Sequence, residues 1–309
     1  MNNTVIILLG PTAVGKTGVS ILLAKALKTE IISADSMQIY RHMDIGTAKP
    51  SPTELSEVPH HLINILSPDE SFSAGLFRDK AVKFINELHK KNKIPLIVGG
   101  TGLYIKTLTR GLFEGPSADW KMRDELMAAE HSCGKGHLYE YLKRLDPEAA
   151  KKIEPNDVRR IIRAIEVSLK DNRISEFQKS ATTPEPYNFI KIGLTRERKE
   201  LYRLIDERVE KMMRDGLLEE TERLFKLNPS ATALQSLGYK EIGSSIAGEV
   251  SLDEAVELIK RRTRNYAKRQ MTWFRKEPDI NWVDVSGITD ADGILAKVLN
   301  EVEIIKKLI

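Results

Sequence analysis

Residues 10–17, Gly10-Pro11-Thr12-Ala13-Val14-Gly15-Lys16-Thr17, fit the pattern G-x-x-x-x-G-K-[ST]. Those residue types suit one task, the cradling of phosphate. The glycines let successive backbone N–H groups turn inward, Lys16 adds a point charge, and the Thr17 hydroxyl can reach a Mg²⁺ ion. The N-terminus of a following helix adds the positive end of its dipole. The pattern does not say which phosphate compound is held. A nucleotide triphosphatase needs an apolar strand ending in an acidic Mg²⁺ ligand, yet the run Ile94–Val98 ends in Gly99-Gly100-Thr101. A carboxylate stands instead at Asp35, two residues beyond Ser33. By position alone Asp35 can be a Mg²⁺ ligand, a general base or a helix cap.

These residues need a scaffold that brings them together. Thr4–Leu9 reads as a buried strand, stopped at once by Gly10 and Pro11. Gly15–Leu27 has helical spacing, Glu30–Ser33 is a second strand, Phe77–Lys90 an amphipathic helix, and Ile94–Val98 a third strand. Strand alternating with helix is the pattern of a parallel sheet with crossover helices, an α/β fold. There all strand C-termini open onto one crevice, so Asp35 and Thr101 are expected to face the loop at 10–17. The character changes near Gly115-Pro116. Helical segments (Lys121–His131, His137–Leu145, Asp157–Leu169) then run without a convincing strand to the linker-like Ser180–Pro186. Strand character returns at Phe189–Leu194 and amphipathic helix at Leu201–Met213. The expected organisation is an α/β core, residues 1–115 and 189–309, carrying an all-helical insertion at 116–188. Ser251-Leu252-Asp253-Glu254 is a capping box that opens a long basic helix.

The 309 residues are 41% hydrophobic, enough for a real core, and 30% charged. The longest apolar run near the start, Val5–Leu9, falls far short of the ~18 residues that span a bilayer. No basic residue precedes it, so it does not read as a signal peptide. A single cysteine, Cys133, excludes an internal disulfide framework and a Cys-rich zinc module, and points to a reducing cytoplasm. The six histidines are scattered without metal-ligand spacing, and His60-His61 reads as structural. The net charge is only +4, from 48 basic and 44 acidic residues, but its distribution is uneven. Leu258 to Lys276 holds eight basic residues (Lys260, Arg261, Arg262, Arg264, Lys268, Arg269, Arg275, Lys276) and no acidic one. Such a block attracts polyanions unless it is a solvated helix face. Trp273 and Phe274 within it could stack bases or sit in the core. At helical spacing Arg159, Arg160 and Arg163 share one face and Ile161, Ile162 and Ile165 the other, so three guanidinium groups are expected to meet solvent.

Taken together, several strings resemble the bacterial tRNA dimethylallyltransferases. They are Gly10–Thr17, Ser33-Ala34-Asp35-Ser36-Met37-Gln38-Ile39-Tyr40, Met43-Asp44-Ile45-Gly46-Thr47-Ala48-Lys49-Pro50, Val98–Gly102, and Lys268-Arg269-Gln270-Met271-Thr272-Trp273-Phe274-Arg275. The D-I-G-T-A-K-P string is the most specific of them. The resemblance implies transfer of a dimethylallyl group from dimethylallyl diphosphate to N6 of adenosine 37, in the tRNA anticodon stem-loop, with Mg²⁺ as cofactor and a monomeric enzyme. It implies that Gly10, Pro11, Thr12, Ala13, Val14, Gly15, Lys16 and Thr17 hold a diphosphate rather than a triphosphate, with Thr17 toward the metal. It makes Asp35 the base at the adenine amine, Thr101 the hydroxyl beside it and Arg208 a contact to the leaving diphosphate. It also matches tRNA contacts to Asp35, Ser36, Met37, Gln38, Thr101 and Arg123, to Arg159, Arg160, Ile161, Ile162 and Arg163, to Gln235, Ser236, Leu237, Gly238, Tyr239 and Lys240, and to Lys268, Arg269, Gln270 and Arg275. The adenine must then be flipped out of the anticodon stack to reach the crevice.

Three other readings share part of this pattern. A small-molecule kinase would consume ATP. A transferase acting on free adenine nucleotides would need no extended positive surface. A non-catalytic RNA-binding protein would have no reason to keep Lys16, Thr17 and Asp35 intact.

Overall fold

The structure is a computed structural model that describes residues 3–112, 116, 118–170 and 182–309. Gly115, Ser180 and Ala181, at the two expected insertion boundaries, lie outside the described residues, as do Met1 and Asn2. The chain divides into two compact units, Met1–Thr109 with Pro186–Ile309, and Arg110–Glu185.

In the larger unit, strands β1 (Thr4–Leu9), β2 (Ile31–Ala34), β3 (His60–His61), β4 (Leu96–Gly99), β5 (Asn188–Thr195) and β6 (Ile280–Asp284) pair in parallel, in the order β3-β2-β4-β1-β5-β6. β1 lies between β4 and β5, which explains its unbroken aliphatic run, since both of its faces are buried. Ile6 and Leu8 join a cluster with Ile192, Leu23 and Ile294. Val5, Ile7 and Leu9 join another with Ile97, Phe77 and Leu108, on the opposite face. The expected strands and helices are present with ends moved by at most three residues. The β2–β4 pairing, which closes with Ala34 opposite Gly99, moves both strands toward their C-terminal ends. Two strands carried no readable pattern. β3 is two residues long, too short for any period, and β6 pairs on one side only, so its Asn281 and Trp282 break the apolar run.

The D-I-G-T-A-K-P string has a packing explanation. Glu220 is buried on the helix Leu217–Phe225. Its carboxylate accepts the backbone N–H groups of Asp44 (3.0 Å), Ile45 (2.9 Å) and Gly46 (3.0 Å), and the Tyr239 hydroxyl at 2.6 Å. The nearly buried Lys49 ammonium donates to Tyr40 O, Asp44 Oδ1 and Asn64 Oδ1. A surface loop rich in backbone polar groups is thereby fixed from both ends. Tyr239 is fully buried here, and Ser236 and Gly238 are buried with it, so these three members of the 235–240 stretch do not form a contact surface; Gln235 and Lys240 are exposed. Tyr239 stays a neutral phenol, its pKa pushed up first by burial and then by the Glu220 charge.

The smaller unit is helical throughout its described elements: Trp120–Cys133, His137–Leu145, Pro147–Ala150 and Val158–Lys170. Leu138, Leu142, Ile161, Ile162 and Ile165 form its core, so the side chains of Ile161 and Ile162 are removed from any surface contact. The expected three-arginine face is corrected to two. Arg163 turns back to the fully buried Glu166 and to the Pro116 carbonyl, while Arg159 and Arg160 stay exposed. Arg123 is likewise committed, bidentate to Glu166 at 2.8 and 3.1 Å. Burial pushes the Glu166 carboxyl up, but hydrogen bonds from Arg123, the Asp119 amide and Arg163 outweigh it and leave the pKa lowered.

Replacing Glu220 by alanine strands three amide donors and a phenol. Each buried unsatisfied group costs about 1–3 kcal/mol, so a loss of stability of at least about 4 kcal/mol is expected from the four. Tyr239→Phe, which removes one donor and leaves the Glu220 carboxylate its three amides, should cost less than half of that. Urea midpoints of the two variants check both values.

Candidate active site

The sheet topology puts the C-terminal ends of β1, β2 and β4 side by side, and the loops that leave them enclose a cavity of about 250 Å³. Lys16, Thr17, Asp35, Gly100, Arg208 and Gln270 all line it. The loop Gly10–Thr17 owes its shape to backbone conformations that the sequence supplies. Gly15, at φ 109°, is the N-cap of the helix Lys16–Ala26 and occupies the left-handed region that glycine tolerates best. Ala13 also lies at positive φ, a conformation costing a residue with a side chain roughly 1 kcal/mol and characteristic of ligand-holding turns.

Two cations converge inside this loop. The Lys16 ammonium donates to Gly10 O at 2.9 Å and Pro11 O at 2.7 Å. Arg208, on the helix Arg198–Arg214, donates to the Thr12 hydroxyl at 3.3 Å. Burial, then the Arg208 charge, pull the Lys16 pKa down to about 7, while Asp35 pulls it the other way. Burial also lowers the pKa of Arg208. The arrangement fits an anion, which would relieve both the mutual repulsion and the lost hydration of the two cations.

Asp35 follows β2 directly. Its Oδ1 accepts the amides of Met37 at 2.9 Å and Gln38 at 3.3 Å, which is the capping role left open by its position. The same carboxylate lines the cavity with Lys16, so capping and chemistry are both available to it. Thr101 Oγ1 accepts the Ser36 amide at 3.1 Å, and the Thr101 amide donates to Ala34 O at 3.2 Å, tying the loop after β4 to the loop after β2. Gln38 donates to the carbonyls of Thr47 and Ala48, both 3.3 Å away, which brings the clamped 44–49 loop to the cavity wall.

The basic helix divides in two. Ser251 and Glu254 make both bonds of the capping box at its start. Along Leu252–Phe274, Lys260 pairs with Glu210 and Glu257, Arg262 with Glu241, and Arg264 with Asp206. Three basic residues of the first half are therefore paired, chiefly with acids from neighbouring helices that sequence order cannot reveal, while Arg261 is exposed. Lys268, Arg269, Trp273 and Arg275 are exposed at the other end, with Lys106 6.0 Å from the Trp273 ring, whereas Phe274 is in the core. Gln270 is buried and bonded inside the cavity wall, so it does not belong to the exposed basic end. Tyr266, one helical turn earlier, was not singled out by the sequence. It lines the cavity, and the pKa of its hydroxyl is pushed up, first by burial and then by the Asp35 charge. Its i,i+4 spacing from Gln270 was the signal available.

Among the described residues no helix is long and apolar enough to cross a membrane, and no three His, Cys, Asp or Glu side chains gather as a metal site.

Comparison with known proteins agrees with this geometry. The IPP transferase family model matches residues 38–277. The tRNA dimethylallyltransferase of Thermodesulfovibrio yellowstonii is 53% identical over 306 residues, covering 96% of this chain and 97% of the relative. The crystal structure of the full-length tRNA isopentenylpyrophosphate transferase from Bacillus halodurans is 41% identical, with a TM-score of 0.72 over 100% of this chain and 99% of the other. A eukaryotic dimethylallyltransferase acting on tRNA is 28% identical, with a TM-score of 0.78 over 98% of this chain and 77% of the other. A parallel sheet that gathers a phosphate loop, two buried cations and a carboxylate, in a chain so closely matched along its length, places this chain in the IPP transferase family.

Proposed function

We infer that this chain is a tRNA dimethylallyltransferase that moves the dimethylallyl group of dimethylallyl diphosphate to N6 of adenosine 37. The observation carrying this reading is the shared cavity, in which Lys16 and Arg208 can hold a diphosphate beside the Asp35 carboxylate. In the transfer, the bond from N6 to the allylic carbon forms as the carbon–oxygen bond to diphosphate breaks, and the electron pair leaves with the diphosphate. Lys16, Arg208 and the loop amides are in place before that charge develops, so little reorganisation accompanies it. The amine becomes acidic only as its new bond forms, so a carboxylate can serve as base; Asp35 takes the N6 proton, and Thr101 beside it orients the adenine. Thr17 offers a hard hydroxyl oxygen of the kind Mg²⁺ prefers on the wall that also carries Lys16, so this residue would hold the ion. Bound there, Mg²⁺ would supply further positive charge to the diphosphate. The exposed Lys268, Arg269 and Arg275, with Arg159 and Arg160, suit the tRNA backbone, and a tRNA substrate implies a cytoplasmic enzyme, acting as a monomer.

Incubation with tRNA and dimethylallyl diphosphate, followed by analysis for prenylated adenosine, tests the reading; consumption of ATP without prenylation would reject it. Lys16→Ala should lower turnover by ~10²–10³, the loss typical of one stabilising donor, and leave tRNA affinity unchanged. Because the Lys16 pKa lies near 7 before the anion enters, diphosphate binding at pH 8 must take up a proton and weaken as pH rises further. Calorimetry in buffers of different ionisation enthalpy measures that uptake, and Lys16→Met should abolish it.

Asp35→Asn keeps the shape and an oxygen acceptor for the capping amides but cannot receive the proton. Single-turnover transfer should fall by ~10²–10⁴ and stay low across a Mg²⁺ titration. Recovery at high Mg²⁺ would make Asp35 chiefly a metal ligand. Replacing Arg159 and Arg160 together by alanine should make the salt dependence of tRNA binding shallower by about one to two units of slope. An unchanged slope would return those two arginines to a solvated face.

A further inference from the structure

Gln270 projects from the helix Leu252–Phe274, is 6% exposed, and makes two hydrogen bonds to backbone groups. Its Oε1 accepts the backbone N–H of Thr12, inside the phosphate loop, at 2.9 Å. Its Nε2 donates to the carbonyl of Gly100, in the turn between β4 and Thr101, at 2.8 Å. One primary amide thus joins two loops that both line the cavity.

The chemistry of the side chain is restrictive. The site needs an acceptor for Thr12 and a donor for Gly100 at the end of a three-bond stem. Glutamate has no donor when ionised, lysine and arginine have no acceptor, and asparagine is one methylene shorter. Position 100 is restricted in turn: a Cβ there would stand 2.2 Å from Gln270 Nε2. The Gly100-Thr101 turn is anchored on its other side to β2, through the Thr101 amide on Ala34 O and the Ser36 amide on Thr101 Oγ1. The phosphate loop has no other side-chain tie to this turn among the bonds that Thr12 and Gly100 make. The β1–β4 ladder, which closes at Leu9 and Gly99, sets the coarse spacing of the two loops, and Gln270 adds a side-chain tie beyond the end of that ladder.

We propose that Gln270 is a positioning residue for the transfer step: its amide braces the phosphate loop at Thr12 against the Gly100-Thr101 turn and so sets the distance between the allylic diphosphate and the adenine amine. This assignment rests on the transferase reading above and gives Gln270 a different task from a tRNA surface contact. Misplacement of reacting groups by ~1 Å costs on the order of 10²-fold in rate, so the brace should act on the chemical step and leave both substrates able to bind.

The test is a double-mutant cycle on the full chain with Gln270→Ala and Gly100→Ala. The second variant expels the amide while leaving Gln270 chemically intact. Each should slow single-turnover transfer at saturating tRNA and dimethylallyl diphosphate by ~10–100-fold, with tRNA affinity at the wild-type value, and the double variant should be no slower than the slower single one. Additive losses, or a Gln270→Ala variant with weakened tRNA binding and wild-type single-turnover rate, would overturn the proposal. Should Gln270→Ala fail to fold, Gln270→Met serves in its place, because it keeps the length of the stem, loses both bonds and adds no charge; a wild-type rate there would reject the brace. Deuterium exchange on the protein alone provides a readout independent of activity. Faster exchange confined to the phosphate-loop peptide in the variants supports the brace even if the wild-type chain transfers no prenyl group, an outcome that would defeat the transferase reading instead. Unchanged exchange there would defeat the brace.

Discussion

Two cations share a small buried space at Lys16 and Arg208, and the surrounding structure has to make that tolerable. A buried ammonium costs several kcal/mol unless it is hydrogen-bonded or paired. Here two loop carbonyls accept its protons, and Asp35 contributes an opposing charge across the cavity. The pair stays partly uncompensated, which makes the loop a receptor for an anion rather than a closed structural ion pair. A carboxylate placed close enough to neutralise Lys16 fully would have stabilised the fold and occupied the site.

The supports around this pair are graded by distance. Closest are the backbone shape of Gly10–Thr17 and the Arg208–Thr12 bond. Next come the amide of Gln270 and the Asp35 and Thr101 turns, which join loops from three strands. Farther out, Glu220 holds the 44–46 amides and so the wall that Gln38 touches. The supporting bonds fall largely on backbone groups. Backbone contacts fix loop paths without depending on the rotamer of a long side chain, and this suits a site whose working parts must be spaced to within an ångström.

The exposed positive charge is smaller than a count of basic residues suggests, and better placed. Acids on neighbouring helices absorb Lys260, Arg262 and Arg264, and Glu166 absorbs Arg123 and Arg163. These paired residues stiffen helices. The exposed end at Lys268, Arg269 and Arg275 follows one turn after Tyr266, which lines the cavity, so a single helix carries both a wall of the site and a surface suited to a polyanion.

The sequence alone determined the elements whose signal is local. β1, the phosphate loop and its helix are readable because an aliphatic run, a glycine at a required positive φ and a helical period all act within about twenty residues. The approach of Asp35 and of the turn at Gly100 to that loop also followed, since a parallel sheet leaves its strand C-termini on one edge; Thr101 itself turns to the Ser36 amide and is not among the residues that line the cavity. Tertiary structure decided what depends on partners distant in the chain. β3 and β6 exist through pairing with β2 and β5 rather than through their own pattern. Arg163 read as exposed because helical periodicity assigns a face but not an acid, and Glu166 lies three residues further along, inside the core. Tyr239 and Gln270 entered as tRNA contacts through the resemblance alone, and a polar atom on a long side chain looks the same in sequence whether it meets solvent or a buried carboxylate or amide. Only the fold, by bringing Glu220 to Tyr239 and both Thr12 and Gly100 to Gln270, settles which.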